Sequence, residues 1–441
     1  MTIARASDVI VIGGGFSGVA AAAALRARDL DVTLLEQHAL LGGRARTDVS
    51  GESAIDTGAQ LIASTFVRTL RLLENATLEP TVARDVFVRD GKRLPIHFGS
   101  ITSMLRFRGL SVGDKVRLGT SLLPLITRHG DALRADGDNG LEELDKIAAR
   151  SFVEKAISAR AADILVEPPL NAFYGARGSE TSLAFFLTLG RYATDAKLLA
   201  CRAGWSSALA GAVANVRVEC DVAVTALEIV SSGVVVRDSL GRKWGGRAVV
   251  IATGAASARE LLGSVDHSAE PLARWLESIT TRPTWTVMLA LRHAVPADAF
   301  GVLADPALST AVSACALPGG RWRTSRNADD VVLAWPTPDA VDRLRDRSAT
   351  DIVAAMLPEI ERLVPEVRGT VERARVFRFD HGTPLAAPGF VAHRAMGRRA
   401  IDALPGSIAL AGDYLTMPLV EGAVSSGERA AERIVRHLAR A

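Results

Sequence analysis

Three glycines and one acid offer the first chemistry in the chain. Gly13-x-Gly15-x-x-Gly18 stands between an apolar, β-branched run, Asp8-Val-Ile-Val-Ile12, and an alanine-rich stretch from Val19 to Arg28. A turn this tight after a strand needs Gly13. Gly15, without a Cβ, lets backbone N–H groups approach a pyrophosphate, and Gly18 lets the next helix lie close on the strand. Phe16 and Ser17 complete the turn, and the helix N-terminus behind it faces the negative charge. Glu36 closes the second apolar run, Asp31-Val-Thr-Leu-Leu-Glu36, and Gln37 follows it. There the Glu36 carboxylate can accept hydrogen bonds from a ribose. The hexapeptide alone is also what a ligand-free turn would show. Strand, helix and acid together point to a bound dinucleotide, NAD or FAD.

No other spacing in the sequence has catalytic meaning of its own. The eight histidines include no HExxH, so no metal site is expected. Cys201, Cys220 and Cys315 form no CxxC, which argues against a zinc knuckle and a disulfide framework. There is no GxSxG, since Ser17 lies inside the glycine turn, so a Ser-His-Asp hydrolase fits poorly. With 52 Lys and Arg against 49 Asp and Glu, the net charge is +3, too balanced for a dedicated nucleic-acid binder. The chain is 48% hydrophobic and 23% charged, which is globular. At about 150 residues per domain its 441 residues make about three domain equivalents. Residues 9–25 carry no charge but hold four glycines and fall short of the roughly 20 apolar residues of a membrane span. A soluble, cytoplasmic protein is expected, with loose contact to a membrane surface left open.

The elements that must position these residues follow from pattern. Residues 1–60 read as strand, glycine turn, helix, strand. Residues 81–200 mix short strands such as Val86-Phe-Val-Arg89 with arginine-rich amphipathic helices. Strands return over Val216–Val222, Val224–Ile229, Gly233–Arg237 and Ala248–Ala252, with a hairpin turn at Asp238-Ser-Leu-Gly241. Asp351 to Val364 reads as a helix. Ser407 to Asp413 reads as a strand meeting a turn, and Val424 to Ala441 as a closing helix.

Further segments carry a family resemblance. Leu41-Gly-Gly-Arg-Ala-Arg-Thr47, just past Glu36, resembles the second signature of the flavin-containing amine oxidase superfamily, which includes phytoene desaturases and protoporphyrinogen oxidases. Leu410-Ala-Gly-Asp-Tyr414 with Val420-Glu-Gly-Ala-Val-Ser-Ser-Gly427 resembles its third. Val224-Thr-Ala-Leu227 leading to Ile251-Ala-Thr-Gly254 is similar to the segment packed on the adenine half, and Asp56-Thr-Gly-Ala-Gln60 to the stretch beside the isoalloxazine ring. The resemblance implies an α/β fold: a Rossmann-like (GR2-type) FAD-binding domain with an interleaved α+β substrate domain. The FAD-binding domain would comprise residues 1–80, 201–265 and 400–441, and the substrate domain 81–200 and 266–399. It further implies cofactor contacts from Gly42, Gly43, Arg44, Gly58, Ala59, Gln60, Val224, Thr253, Gly254, Gly412, Asp413, Glu421, Gly422 and Ala423, beside Gly13, Gly15, Phe16, Ser17, Gly18, Glu36 and Gln37. Asp413 can hold ribityl hydroxyls or a water near the pyrophosphate. Glu421 precedes a helix start at Gly422-Ala423, whose N–H groups would face the flavin edge that gathers charge on reduction. Arg44 suits a cofactor phosphate, and Arg46 suits either that or solvent.

The departures matter as much. Gln37, His38, Ala39 and Leu40 stand where amine oxidases carry basic residues, and Leu419 stands where many carry a cage tyrosine. No cysteine follows Cys315 and no histidine adjoins Gly43-Arg44, so FAD is expected to be non-covalent. Asp90-Gly-Lys-Arg-Leu-Pro95, residues 167–175 and Gly204-Trp-Ser-Ser-Ala-Leu209 are loosely similar to the desaturase and protoporphyrinogen oxidase branch. Pocket candidates are Tyr174, Arg202, Trp205, Trp285, His381 and Leu419, each equally readable as packing or surface; no catalytic residue is assigned. The expected function is FAD-dependent removal of hydride from a C–H of an apolar substrate: a polyene, terpenoid or aromatic-ring natural product. Its electron acceptor is open. An amine or porphyrinogen oxidase is the second reading. A non-catalytic lipid-binding escort on the same fold is the third. Residues 96–134 mix apolar residues with arginines, as a membrane-touching entrance or a solvated basic face would.

Overall fold

A computed structural model describes residues 6–49, 54–81, 85–97, 99–137, 140–263, 265, 269–295, 299–317 and 331–440. The strand Ala6–Ile12 shows why the first sheet forms. Val9 and Val11 point into one apolar cluster, shared with helices Phe16–Arg26 and Val420–Leu438. Ile10 and Ile12 point into another, shared with helices Ala255–Leu262 and Glu270–Glu277. A strand apolar on both faces is what a parallel sheet covered on both sides requires.

Its neighbours are Val32–Leu35 on one side and Lys243–Ile251 on the other, both parallel. Arg217–Glu219 extends the sheet beyond Val32–Leu35, again parallel. Beyond Lys243–Ile251 the edge is divided. Residues 243–246 pair antiparallel with Gly233–Asp238, which pairs with Val224–Val230, while Val249, Val250 and Ile251 pair parallel with Ile408–Leu410. The expected hairpin turn is present, with Gly241 N–H donating to Asp238 O at 3.0 Å.

Two helix starts differ from the pattern reading. The first helix begins at Phe16, because Phe16, Ser17 and Gly18 are already wound into it. The last begins at Val420, so Glu421, Gly422 and Ala423 lie inside its first turn rather than ahead of it. These two helices pack together closely, since a Cβ on Gly427 would lie 2.1 Å from Ser17 O.

The second sheet runs Val371–Pro384, Thr281–Leu291, Val331–Pro336, Val312–Ala316, Gly301–Ala304, Asp85–Arg89, Lys92–Ile96. All its pairs are antiparallel except Gly301–Ala304 with Asp85–Arg89. Val287, Leu289 and Leu291 pack on Ile352, Met356 and Ile360 of helix Ala349–Leu363. The other face, with Leu303, Ala314, Leu333 and Trp335, carries the helices between residues 112 and 193. A three-stranded sheet of Ile62–Ala63, Leu198–Cys201 and Leu78–Pro80 packs Ile62, Ala63 and Cys201 into the cluster of the first sheet. The division drawn at residues 265/266 is corrected in one respect. Helix Glu270–Glu277 buries Leu272, Trp275 and Leu276 against the first sheet's cluster, so it packs with the nucleotide side.

Candidate functional site

The glycine turn is held by its own geometry. Gly13 takes φ +105°, open to glycine, and a Cβ there would lie 2.7 Å from Ala252 O. A Cβ on Gly18 would sit 1.8 Å from Gly13 O, so helix and strand touch through backbone alone. Gly15 is the opposite case: nothing lies within 4 Å of where its Cβ would be. It is the N-cap of helix Phe16–Arg26 and offers no side-chain cap. The first N–H groups of that helix are thus left without a side-chain cap, as an anion site needs.

Glu36 is buried beside this turn. Its carboxylate accepts from Gly14 N–H at 2.6 Å and from His38 N–H at 2.9 Å. An ionised carboxylate has about four acceptor positions, so two stay available for ribose hydroxyls. Gln37 Nε2 lies 3.3 Å from His38 Nε2 on the exposed rim. Burial first, and then the charge of Arg46, pushes the His38 imidazole pKa below its ordinary value. The Gly42-Gly43 loop closes over the turn: Gly42 N–H donates to Gly14 O at 2.9 Å, and a Cβ on Gly43 would lie 3.4 Å from Gly15 Cα.

Arg44 reaches the C-terminal segment. Its guanidinium donates to both Asp413 oxygens, at 2.7 and 2.9 Å, and to Gly382 O at 2.6 Å. Burial disfavours its charge, but the adjacent Asp413 carboxylate outweighs burial and raises the pKa. Gly412 N–H donates to Ser426 Oγ at 2.7 Å, which ties this turn to the last helix. A cavity of about 220 Å³ opens here, lined by Arg44, Gly254, Arg259, His381, Asp413 and Tyr414. Gly254 is the N-cap of helix Ala255–Leu262, also without a side-chain cap. The buried Tyr414 hydroxyl has no hydrogen-bond partner among the described residues, and burial raises its pKa. An uncapped helix start, an arginine and an orphaned hydroxyl beside one cavity fit a phosphate-bearing cofactor.

The stretch expected beside a ring is tightly placed. A Cβ on Gly58 would lie 1.9 Å from Arg44 O, and Ala59 N–H donates to that same oxygen at 3.1 Å. Gln60 Nε2 donates to Asp56 O at 3.0 Å. Thr286 Oγ1, on the second sheet, donates to Thr57 O at 2.7 Å, so this stretch is the joint between the halves. Val224 is half-buried on its edge strand, where the register shifts before Ala226, and Thr253 is half-buried too. Gly422 and Ala423 lie in the first turn of the last helix, whose N-cap Leu419 provides no side-chain bond.

Four sequence assignments are corrected. The Glu421 carboxylate accepts from Arg68 N–H, Thr69 N–H and Thr69 Oγ1 at 2.9, 2.9 and 2.7 Å. It caps the helix Val67–Leu72 instead of serving a ligand. Arg202 is exposed and forked onto Glu79 at 3.0 and 3.1 Å. Trp205 is fully buried in the nucleotide-side core, edge-on to Phe16 at 6.1 Å. Trp285 is buried on the face of the second sheet turned to helix Ala349–Leu363, beneath Arg378 at 4.9 Å. Of the other candidates, His381 lines the 220 Å³ space, and Leu419 and Tyr174 share one apolar cluster. Tyr174 stands edge-on to Phe185 at 5.1 Å, and burial raises its pKa.

Asp56 was missed as a hub. It is fully buried and accepts from Thr47 Oγ1 at 2.8 Å and Trp205 N–H at 3.0 Å. An acid inside an otherwise apolar, glycine-bearing stretch was its signal. Arg46 stacks over Phe379 at 5.6 Å, a partner more than 300 residues away that no local pattern announces.

A family model for flavin-containing amine oxidoreductases matches residues 16–435. Polyamine oxidase 5 of Oryza sativa subsp. japonica is 58% identical over 52 residues, 12% of this chain and 11% of that protein. The match thus spans about a tenth of that relative's length. A solved putrescine oxidase with putrescine bound shares the fold at TM-score 0.75 and 16% identity, over 98% of this chain and 99% of that one. A CLA-producing fatty acid isomerase from P. acnes shares it at TM-score 0.73 and 14% identity, over 97% and 98%. The chain belongs to the flavin-containing amine oxidoreductase family, and the family's cofactor is a flavin.

Proposed function

We propose that this member of the family is an FAD-dependent oxidoreductase that takes hydride from a C–H of an apolar substrate, as a desaturase or oxidase does. The observation that carries the reading is Leu419. It precedes the last helix at the cage position and is buried in one apolar cluster with Met417, Phe390 and Val391, with Tyr174 packed against it. A charged ammonium there would lose its water without gaining a carboxylate from these side chains. A polyene or terpenoid loses nothing.

Bound FAD supplies the hydride-accepting ring. The chain's own residues supply position. The N–H groups at Gly15–Ser17 and the Arg44 guanidinium would hold phosphate, Glu36 would hold ribose, and Gly58 and Ala59 would lie against the ring. Met417 and Leu419 would exclude water. Non-covalent binding is part of the proposal, because no cysteine follows Cys315.

The test is anaerobic mixing of the yellow holoprotein with a panel of polyenes, terpenoids and amines. Bleaching by an apolar compound is expected. Tyr174→Phe and His381→Ala should each cost less than the roughly 10²–10⁴-fold of a lost general acid or base. Bleaching by an amine alone would establish the amine oxidase reading instead, which the polyamine and putrescine oxidase likenesses favour. A pH–rate profile that collapses in either variant would also overturn the proposal. Acid precipitation should leave the flavin in the supernatant.

A further inference from the structure

Helix Val112–Arg128 buries one side, helix Ile101–Arg106 rests on the core only through the half-buried Met104, and both leave apolar side chains bare. Ile101, Leu105, Val112, Val116 and Leu123 are between 49% and 78% exposed. On the longer helix, Val112, Val116, Gly119, Thr120, Leu123 and Thr127 recur at helical spacing and form one stripe. The two threonines in it do not need water. Thr120 Oγ1 donates to Val116 O at 3.1 Å and Thr127 Oγ1 to Leu123 O at 2.9 Å, which turns both hydroxyls back on the helix.

Charge flanks the stripe with one sign. Residues 101–128 contain Arg106, Arg108, Lys115, Arg117 and Arg128 against a single acid, Asp114. Asp114 is buried in the capping box with Ser111. None of these five cations forms an ion pair with a described residue, whereas arginines elsewhere are commonly forked onto carboxylates, as Arg44, Arg177 and Arg202 are. Lys115 and Arg117 donate only to backbone oxygens, Leu105 O and Ile157 O. At the end of the longer helix an open hollow of about 640 Å³ is lined by Arg128, His129 and Arg191, with Asp131 the one acid among the described residues. Among the described residues no helix is long and apolar enough to cross a membrane.

We propose that this helix pair docks flat on an anionic lipid bilayer, with Ile101, Leu105, Val112, Val116 and Leu123 among the acyl chains and the cations at the headgroups. An apolar stripe lined by unpaired cations complements that surface and suits neither water nor a neutral partner. The inner side of the longer helix, Leu118, Leu122, Leu125 and Ile126, packs into the cluster that contains Leu419. The docked face therefore backs directly onto the proposed substrate side. The docking itself stands without the substrate reading; delivery of an apolar substrate from the bilayer rests on it.

The test is co-sedimentation of the holoprotein with vesicles of equal parts phosphatidylcholine and phosphatidylglycerol, and with phosphatidylcholine alone. Strong binding to the anionic vesicles, weakened by salt, is expected. Val116→Glu with Leu123→Glu should lower the partition constant at least about tenfold, and Arg106→Gln with Arg108→Gln should lower it and blunt its salt dependence. Bound flavin and circular dichroism should match the parent in both variants. Protein left in the supernatant at low salt overturns the proposal. So does binding that the Glu pair does not change, which would be plain adsorption of a basic surface. A dimer dissolved by the Glu pair would assign the face to a second copy. Because the assay needs no turnover, its failure leaves the substrate reading standing, and failure of that reading leaves docking standing.

Discussion

The two sheets of this protein are built by different rules. Around the Ala6–Ile12 strand, contacts of backbone on backbone fix the geometry: Gly18 against Gly13 O, Gly58 against Arg44 O, Gly427 against Ser17 O. Around the Thr281–Leu291 strand, side-chain volume fills one face with Ile352, Met356 and Ile360, and the close backbone approaches sit at its start, Gly175 against Pro283 O and Gly382 against Arg282 O. A site made from backbone tolerates one residue type at each contact. A site made from volume tolerates many. The first sheet's side is therefore brittle and specific, and the second sheet's side is adaptable.

The largest effect that would test this contrast is Gly18→Val. With 1.8 Å between the new Cβ and Gly13 O, helix and strand must separate. Purified protein should be colourless or insoluble; a yellow, folded variant would break the comparison. Glu421→Ala comes next. It removes the acceptor of three hydrogen bonds at the start of helix Val67–Leu72. It should cost about 2–4 kcal/mol of unfolding free energy, seen in denaturant titration. Glu36→Ala should weaken flavin affinity by about 1.5–3 kcal/mol, roughly tenfold or more, read from flavin fluorescence on titrating apoprotein. An unchanged dissociation constant would remove Glu36 from the site.

On the side of the second sheet the effects should be smaller and leave the flavin in place. Glu359 accepts from Ser309 Oγ and from the N–H groups of Thr310, Ala311 and Val312. Burial would raise its pKa, but these bonds outweigh burial and lower it. A depressed carboxylate pKa adds stability above the unfolded value of about 4.3, and that stability is lost as pH falls through the folded value. Glu359→Gln should thus cost about 1 kcal/mol at neutral pH, with the gap to the parent closing in acid. Thermal melts across pH would show a constant gap if Glu359 were only packing. Smallest of all, Gly119→Ala meets nothing within 4 Å on its helix and should stabilise by about 0.5–1 kcal/mol.

The same contrast explains what could be read from sequence. Gly13 and Gly18 show their purpose because backbone rules leave no other residue at a close approach. Ile10 and Ile12 show theirs because a strand buried on both faces must be apolar throughout. Glu421 misled, because it stands beside a helix start it does not cap and reaches Thr69 across the fold. Trp205 and Trp285 misled because an indole in a core and an indole in a pocket have the same local sequence. Arg202 found Glu79, and nothing nearby in the chain announces that fork.

The divided edge of the strand Lys243–Ile251 has a consequence for synthesis. Val249, Val250 and Ile251 receive their partner only when residues 408–410 emerge, about 160 residues later. At 5–20 residues per second this is roughly 10–30 s on the ribosome. For that interval a short, fully apolar edge with unsatisfied N–H and C=O groups waits for a strand from the far end of the chain. Any truncated product ending before Ile408 keeps that edge for good, and pairing with another nascent chain is the available alternative. Nascent chains of this protein should therefore be clients of holding chaperones until the last 40 or so residues are made.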